Sequence, residues 1–349
     1  MLRIFIIVLI VIAVVILAIV GRFFFSNTPF DEKSKFLYIN TGHVTQNDVM
    51  KTVKDENLVS NPKSFEIIAT QMDVWPSLRA GRYEVKNGTS LFELARMLRN
   101  GKQSPVNLVI TKIRTKENFA SLIGKKFETD SASVMSFLNN NDTLKKYELD
   151  SNTVMTAVFP NTYTYLWTTS PSGIFKKLIS EYKKVWTEER KKKADSIGLT
   201  PTNAYILASI IEEETNNNKE KGLIASVYMN RMAKNMNLGA DPTVKFALRN
   251  FGLKRIYEKH LAVESPYNTY RKKGLPPGPI CTPSVTTLDL VLDAPKTDYL
   301  FFVAKKDFTE GHVFTSNYQE HLKYAREYQQ ALNTQEQIKQ KTAREEIDE

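Results

Sequence analysis

The sequence predicts an α+β protein: a single transmembrane helix at the N-terminus, a small α/β subdomain, and a larger C-terminal mixed α/β domain. Three stretches carry that expectation. An unbroken apolar run extends from Ile4 to Val20. The segment "GRYEVKNGTSLFELARMLRNGK" (81–102) reads as strand, turn and helix. The segment "LTPTNAYILASIIEEET" (199–215) reads as a helix that closes on three consecutive glutamates. At 349 residues the chain is long enough for two domains, and 25% charged with 42% hydrophobic residues is an ordinary globular composition. The expected divisions are an anchor and its flank at 1–25, a linker at 26–35, the small subdomain at 36–105, the larger domain at 106–330 and a polar tail at 331–349.

The apolar run, extended past Gly21 and Arg22 by Phe23, Phe24 and Phe25, matches the length that spans a hydrocarbon core. A cleaved signal would have a shorter apolar core and a small-x-small site, which "AIVGRF" does not supply. An uncleaved single-pass anchor is therefore expected. Arg3 before the span and Arg22 after it give little charge asymmetry. The short head leaves no room for a cytoplasmic domain, which favours the bulk of the chain lying outside.

In the small subdomain, Tyr83 and Val85 alternate as in a strand, and Asn87-Gly88 makes a turn. Thr89 or Ser90 caps a helix with Leu91, Leu94, Ala95 and Leu98 on one face, closed by Gly101. That stripe is expected to be core. Further on, "IFKKLISEYKKVWTEERKKKADSIG" reads as one long amphipathic helix with a basic, solvated end. Asp241-Pro242-Thr243 reads as a turn with a polar tip. The final polar stretch is expected to fray.

The formal charge of +10 points to an anionic neighbour, or to a generally basic surface. No zinc knuckle, RNA-binding aromatic signature or P-loop accompanies it, so nucleic acid is not an expected partner. Cys281 is the single cysteine, and His43, His260, His312 and His321 are scattered. Neither a metal nor any other cofactor is expected.

The glutamates raise a physical question, because a helix C-terminus is the negative pole, where carboxylates are disfavoured. Thr200 caps this helix and Pro201 opens it. At 100° per residue, Leu207, Ile210 and Ile211 lie within about 60° of Glu214, whereas Glu212 points nearly opposite. Glu214 thus continues the apolar stripe. Desolvation and the helix dipole would both keep its proton on, as a general acid requires. The alternative is a helix end that emerges into water with all three glutamates solvated. Downstream, "SPYNTY" and "GLPPGPICTP" carry rings, amides and hydroxyls suited to an N-acetylated sugar.

Together, "LASIIEEET", "ASVYMNRM", "DPTV", "SPYNTY", "GLPPGPICTP" and "YLFFVA…GHVFTSN", with "AGRYEVKNGTSLFELARMLRNGK" and "FPNTY", resemble the YceG-like family of endolytic murein transglycosylases in order and spacing. The resemblance covers about residues 36 to 328, plus the anchor. It implies a single-pass protein of the inner (cytoplasmic) membrane, active on the periplasmic or outer side, with a lysozyme-like catalytic helix. That enzyme cuts the β-1,4 bond from N-acetylmuramic acid to N-acetylglucosamine within glycan strands and leaves 1,6-anhydro-muramic ends. The family's "ASIIEKET" places the catalytic glutamate at Glu214, with Glu212 as second choice. Glu213 replaces the family's lysine, and "VITKIRTKENFASL" stands where the family has "IPEG". Asn230, Asp241, Tyr267, Asn268 and Tyr270 are the candidate substrate contacts. Residues 83–98 also resemble a LysM module, which in other proteins binds N-acetylglucosamine. The implied partners are peptidoglycan strands, penicillin-binding synthases and other elongation or division proteins. Two other classes stay open: a hydrolytic muramidase using Glu214 with Asp241, and a non-catalytic glycan-binding scaffold.

Overall fold

The computed structural model describes residues 6–15, 21, 28–309 and 311–348. Residues 6–15 are helical (α1), and their apolar side chains are about half exposed. The ends of the expected membrane span, residues 4–5 and 16–20, and the flank at 22–27 lie outside the described residues. Among the described residues no helix is long and apolar enough to cross a membrane.

The chain divides into two compact units. The first takes residues up to Leu108 together with Ser121–Val134 and Thr162–Ile174; the second takes Val109–Ala120, Met135–Asn161 and everything from Phe175.

The first unit begins with β1 (Ser34–Ile39), α2 (Gln46–Asp55), α3 (Pro62–Gln71), the single turn α4 (Val74–Ser77), β2 (Gly81–Lys86) and α5 (Leu91–Arg99). β1 and β2 pair antiparallel, with Ser34 opposite Lys86 and Ile39 opposite Gly81. Each longer helix starts where the sequence supplies a cap. Thr45 accepts from the Asp48 amide, and Asn61 from the Ser64 amide ahead of Pro62. Ser90 and Glu93 form a reciprocal capping box. Leu91, Leu94, Ala95 and Leu98 are buried with Leu37, Val53, Phe65 and Tyr83, so the α5 stripe is core. Each of the buried Leu, Val and Phe side chains contributes about 1.5–3 kcal/mol on burial. Thr41 fastens a later segment: its amide and hydroxyl donate to the two oxygens of Glu128 at 2.5 and 2.7 Å.

The chain continues through β3 (Val106–Ile110), α6 (Lys116–Gly124), α7 (Ser131–Asn139), α8 (Asn141–Lys145) and β4 (Asn161–Tyr165), with β3 and β4 forming a two-stranded sheet. The predicted long basic helix is two: α9 (Pro171–Val185) and α10 (Glu188–Ser196). The break falls at Thr187, whose side chain accepts from the Arg190 amide and starts a new helix.

The second unit is built on α11 (Pro201–Glu214), α12 (Asn218–Ala233) and α15 (Val285–Leu292), with α13 (Asp241–Ala247) and α14 (Glu258–Leu261) between the last two in sequence. α11 is buried on every face from Ala204 to Ile211, so it has no single apolar stripe. Leu207, Ile210 and Ile211 pack with Ile224, Tyr228, Leu288 and Val291. Residues 274–283 lie on α11 through Ser209, whose hydroxyl accepts from the Ile280 amide and whose carbonyl accepts from the Cys281 thiol. Gly278 permits this course, because a Cβ there would stand 2.1 Å from the Asn152 carbonyl oxygen. The antiparallel hairpin β5 (Phe301–Ala304) and β6 (His312–Thr315) follows, with Ala304 opposite His312. The closing helix α16 (Tyr318–Asp348) runs through the stretch expected to fray; its Gln, Glu, Lys, Ala and Arg residues are strong helix formers.

Candidate active site

The three glutamates at the end of α11 have three separate environments. Glu212 accepts from Lys221 Nζ at 3.1 Å, from Ser284 Oγ at 3.3 Å and from the Thr287 hydroxyl. Lys221 is buried and also donates to Thr287, so this carboxylate is consumed by a buried polar cluster. Glu213 accepts two hydrogen bonds from one edge of the Arg114 guanidinium, from Nε at 3.0 Å and from Nη2 at 2.9 Å, with Lys112 Nζ at 3.6 Å. Lys112 also donates to the Glu212 carbonyl at 3.4 Å, so cations meet the negative pole of the helix. Neither arrangement is the solvated helix end that the sequence left open.

Glu214 faces a different neighbour. The hydroxyl of Tyr228, from α12, donates to its Oε1 at 2.5 Å. Glu214 keeps part of its surface open to a cleft, yet its carboxyl is closely surrounded by protein atoms. Desolvation raises its pKa from 4.5 to about 7; the Tyr228 hydrogen bond opposes that rise, the Asp241 carboxylate adds to it, and Lys245 and Arg231 oppose it. Tyr228 is itself pushed well above 10 by burial and by Glu214, so it remains a donor.

The cleft measures about 420 Å³ and is lined by Glu214, Asp241, Tyr270 and Arg231 on one side, and by Phe301, Phe302, His312, Tyr318 and His321 from the hairpin and α16. Asp241 opens α13 with Pro242 behind it, so the expected turn is the first turn of a helix. Its Oδ1 accepts from the Tyr270 hydroxyl at 2.5 Å. Two buried threonines bring these segments together: Thr243 and Thr269 share a 2.8 Å hydrogen bond, and Thr269 Oγ1 accepts from the Ala240 amide. Arg231 is fixed by donating to the Leu300 and Leu238 carbonyls.

A family model described as the YceG-like family matches residues 37–327. The chain belongs to the YceG-like family. Its relatives include the endolytic murein transglycosylase of Bacillus subtilis strain 168, 29% identical over 305 residues that cover 82% of each chain. The endolytic murein transglycosylase of Streptococcus pneumoniae strain D39 is 27% identical over 326 residues, 84% of this chain and 58% of that protein. A crystal structure of a YceG-like protein from Listeria monocytogenes matches with a TM-score of 0.55 and 27% identity, covering 83% of this chain and 98% of that one.

Against this YceG-like frame, the sequence candidates separate. Glu214, Asp241 and Tyr270 meet in one cleft. The Asn230 side-chain amide donates to the Thr297 and Tyr299 carbonyls, each at 2.9 Å, and so holds the approach to β5. Asn268 is fully buried, donating to the Leu261 and Val263 carbonyls and accepting from the Tyr270 amide. Tyr267 packs on Phe246 at 4.6 Å between centroids and does not line the cleft. Tyr228, Arg231, Lys245 and His312 join the surroundings of Glu214 from outside the set of sequence candidates. No spacing rule finds Tyr228: it lies fourteen residues from Glu214 on another helix, reached through the short turn at Thr215–Asn217. The segment that departs from the family's "IPEG" supplies Lys112 and Arg114 to Glu213, which itself departs from the family's lysine.

Proposed function

We propose that this YceG-like chain is an endolytic peptidoglycan lytic transglycosylase, with Glu214 as its single general acid and base. The observation that carries this reading is a carboxyl with a pKa of about 7, open to a cleft and fixed by a neutral donor. With Tyr228 donating to Oε1, the proton of the acid form resides on Oε2, where it can pass to the leaving glycosidic oxygen. The carboxylate that remains keeps the Tyr228 hydrogen bond, which favours the charged form. It then accepts the proton of the muramic C6 hydroxyl as that oxygen bonds to C1, closing the 1,6-anhydro ring. No water is added. The substrate's own N-acetyl group is suited to stabilising the cationic centre. The aromatic wall of Phe301, Phe302 and Tyr318 suits the apolar faces of sugar rings. The names borne by the Bacillus and Streptococcus relatives support the same reaction.

Asp241 favours one alternative, a hydrolytic muramidase in which it activates water, since it shares the cleft with Glu214. The deciding experiment is mass spectrometry of fragments released from purified peptidoglycan by the full-length protein in detergent. Fragments lighter than hydrolysed ones by one water, absent with Glu214→Gln, are expected. Fully hydrated ends would replace the transglycosylase by the muramidase. Cellular function left intact by Glu214→Gln would instead favour a non-catalytic scaffold.

The apolar N-terminal run is, in this proposal, an uncleaved anchor in the cytoplasmic membrane with the catalytic portion on its outer side. The exposed apolar surface of α1 supports that reading. Resistance of the protein to alkaline extraction, and accessibility to protease from the outer side, would test it. The LysM-like stretch is proposed to bind glycan. Its β2–α5 region carries a groove of about 590 Å³ lined by Lys86, Asn87, Thr89, Glu93 and Arg96. Partners at the wall-synthesis machinery, penicillin-binding synthases among them, follow as a proposal from the reaction on nascent strands.

A further inference from the structure

On the wall of the cleft formed by the β5–β6 hairpin, one pair of side chains has no part in the acid–base step above. His312 Nδ1 lies 2.8 Å from Glu220 Oε2, and the His312 backbone amide donates to Glu220 Oε1, also at 2.8 Å. Both side chains are largely buried, 18% exposed for His312 and 12% for Glu220. Glu220 sits in the first turn of α12, where the helix dipole favours a carboxylate. Gly311 makes the approach possible. Its φ is +141°, and a Cβ there would lie 2.7 Å from Glu220 Oε1. The imidazole is further set edge-on to Phe302, with centroids 5.3 Å apart.

A carboxylate only accepts, so Nδ1 must carry the hydrogen and Nε2 of the neutral ring is left as an acceptor. Among the described residues Nε2 makes no hydrogen bond, and His312 lines the Glu214 cleft. Fixing a tautomer matters only for a ligand group of one polarity. A sugar hydroxyl can donate or accept, and either tautomer would serve it. An acetamido N–H can only donate. We infer that His312 is a substrate-contacting, specificity-determining residue that accepts a hydrogen bond from an acetamido N–H of the bound glycan, with Glu220 as the positioning residue that holds its tautomer. This inference rests on the reading of the cleft as a glycan-cleaving site.

Glu220→Gln is the informative change. The amide oxygen still accepts from the His312 backbone, but its NH₂ donates to Nδ1, so the tautomer reverses and Nε2–H becomes a donor. The full-length Glu214→Gln protein, with and without Glu220→Gln, is labelled with ¹⁵N-histidine and titrated with N-acetylglucosamine tetramer or with cellotetraose, which carries a hydroxyl in place of each acetamide. The His312 Nε2 resonance reports this cleft alone. The expected result is that Glu220→Gln weakens binding of the acetylated tetramer about 10-fold at that resonance and leaves cellotetraose unchanged. A His312 resonance that does not move at saturation, or equal effects on the two sugars, overturns the inference. A second variant, His312→Ala, should reproduce the acetyl-selective loss in turnover of peptidoglycan as a rise in KM. Cleavage by Glu214→Gln at wild-type rate would instead bring down the underlying reading. Loss of cleavage in that variant, with His312→Ala and Glu220→Gln binding as wild type, removes this inference alone.

Discussion

Replacing Glu214 by glutamine should stabilise the protein in alkaline solution while abolishing its chemistry. The folded carboxyl has a pKa of about 7 against 4.5 for the free group, so the unfolded chain sheds this proton more readily. Its favourable contribution to folding is complete below pH 4.5 and is lost as pH rises through 7. At ~1.36 kcal/mol per pH unit, the interval sets an upper bound of roughly 3 kcal/mol for the loss. Water reaching the open side of the cleft reduces it. Glutamine has the same shape, still accepts from Tyr228 and cannot ionise. Thermal melting of full-length wild type and Glu214→Gln should coincide near pH 4 apart from a constant offset. The variant should then gain by several degrees at pH 8, given roughly 2–4 °C per kcal/mol for a domain of this size. A melting difference that stays flat from pH 4 to pH 8 would refute a raised pKa at Glu214. The proposed acid–base role would fall with it.

The neighbours of Glu214 should move the alkaline limb of the kcat/KM profile in opposite directions. Tyr228→Phe removes a hydrogen bond that lowers the pKa, so the limb should shift to higher pH, with a loss of about 10-fold or more at neutral pH. Asp241→Asn removes a carboxylate that raises it, so the limb should shift to lower pH while the products keep their anhydro ends. Hydrated products lost in that variant would identify the muramidase instead. Arg114→Ala leaves Glu213 without its bidentate partner and should cost about 1–2 kcal/mol in denaturant unfolding. The reversed pair, Glu213→Lys with Arg114→Glu, should recover most of that loss in a double-mutant cycle.

What the sequence revealed was local. The caps at Thr45, Ser90 and Thr200, and the buried face of α5, follow from rules that span one helical turn. The family motifs named the segments of the cleft, and the glutamate they indicated is the one with the raised pKa. A single helical stripe does not account for the position of Glu214. α11 is buried all round, and the glutamates differ through what other segments bring to them: Lys221 and Thr287, Arg114, or Tyr228. Those partners lie 9 to 99 residues away, beyond any periodicity. Asn230 and Asn268 stand out in the sequence as polar residues in motif segments, but their amides donate to backbone carbonyls. The Thr41–Glu128 contact, 87 residues apart, had no local signal at all.

The last turn of a helix ordinarily frays, and a carboxyl placed there would sample many directions. In this chain that turn is held on two sides, by Arg114 and Lys112 at Glu213 and by the Lys221–Thr287–Ser284 cluster at Glu212. The glutamates flanking Glu214 therefore act as its mounting. In the proposed mechanism, the rotational freedom that Glu214 would have to surrender in each catalytic cycle is surrendered once, when the chain folds.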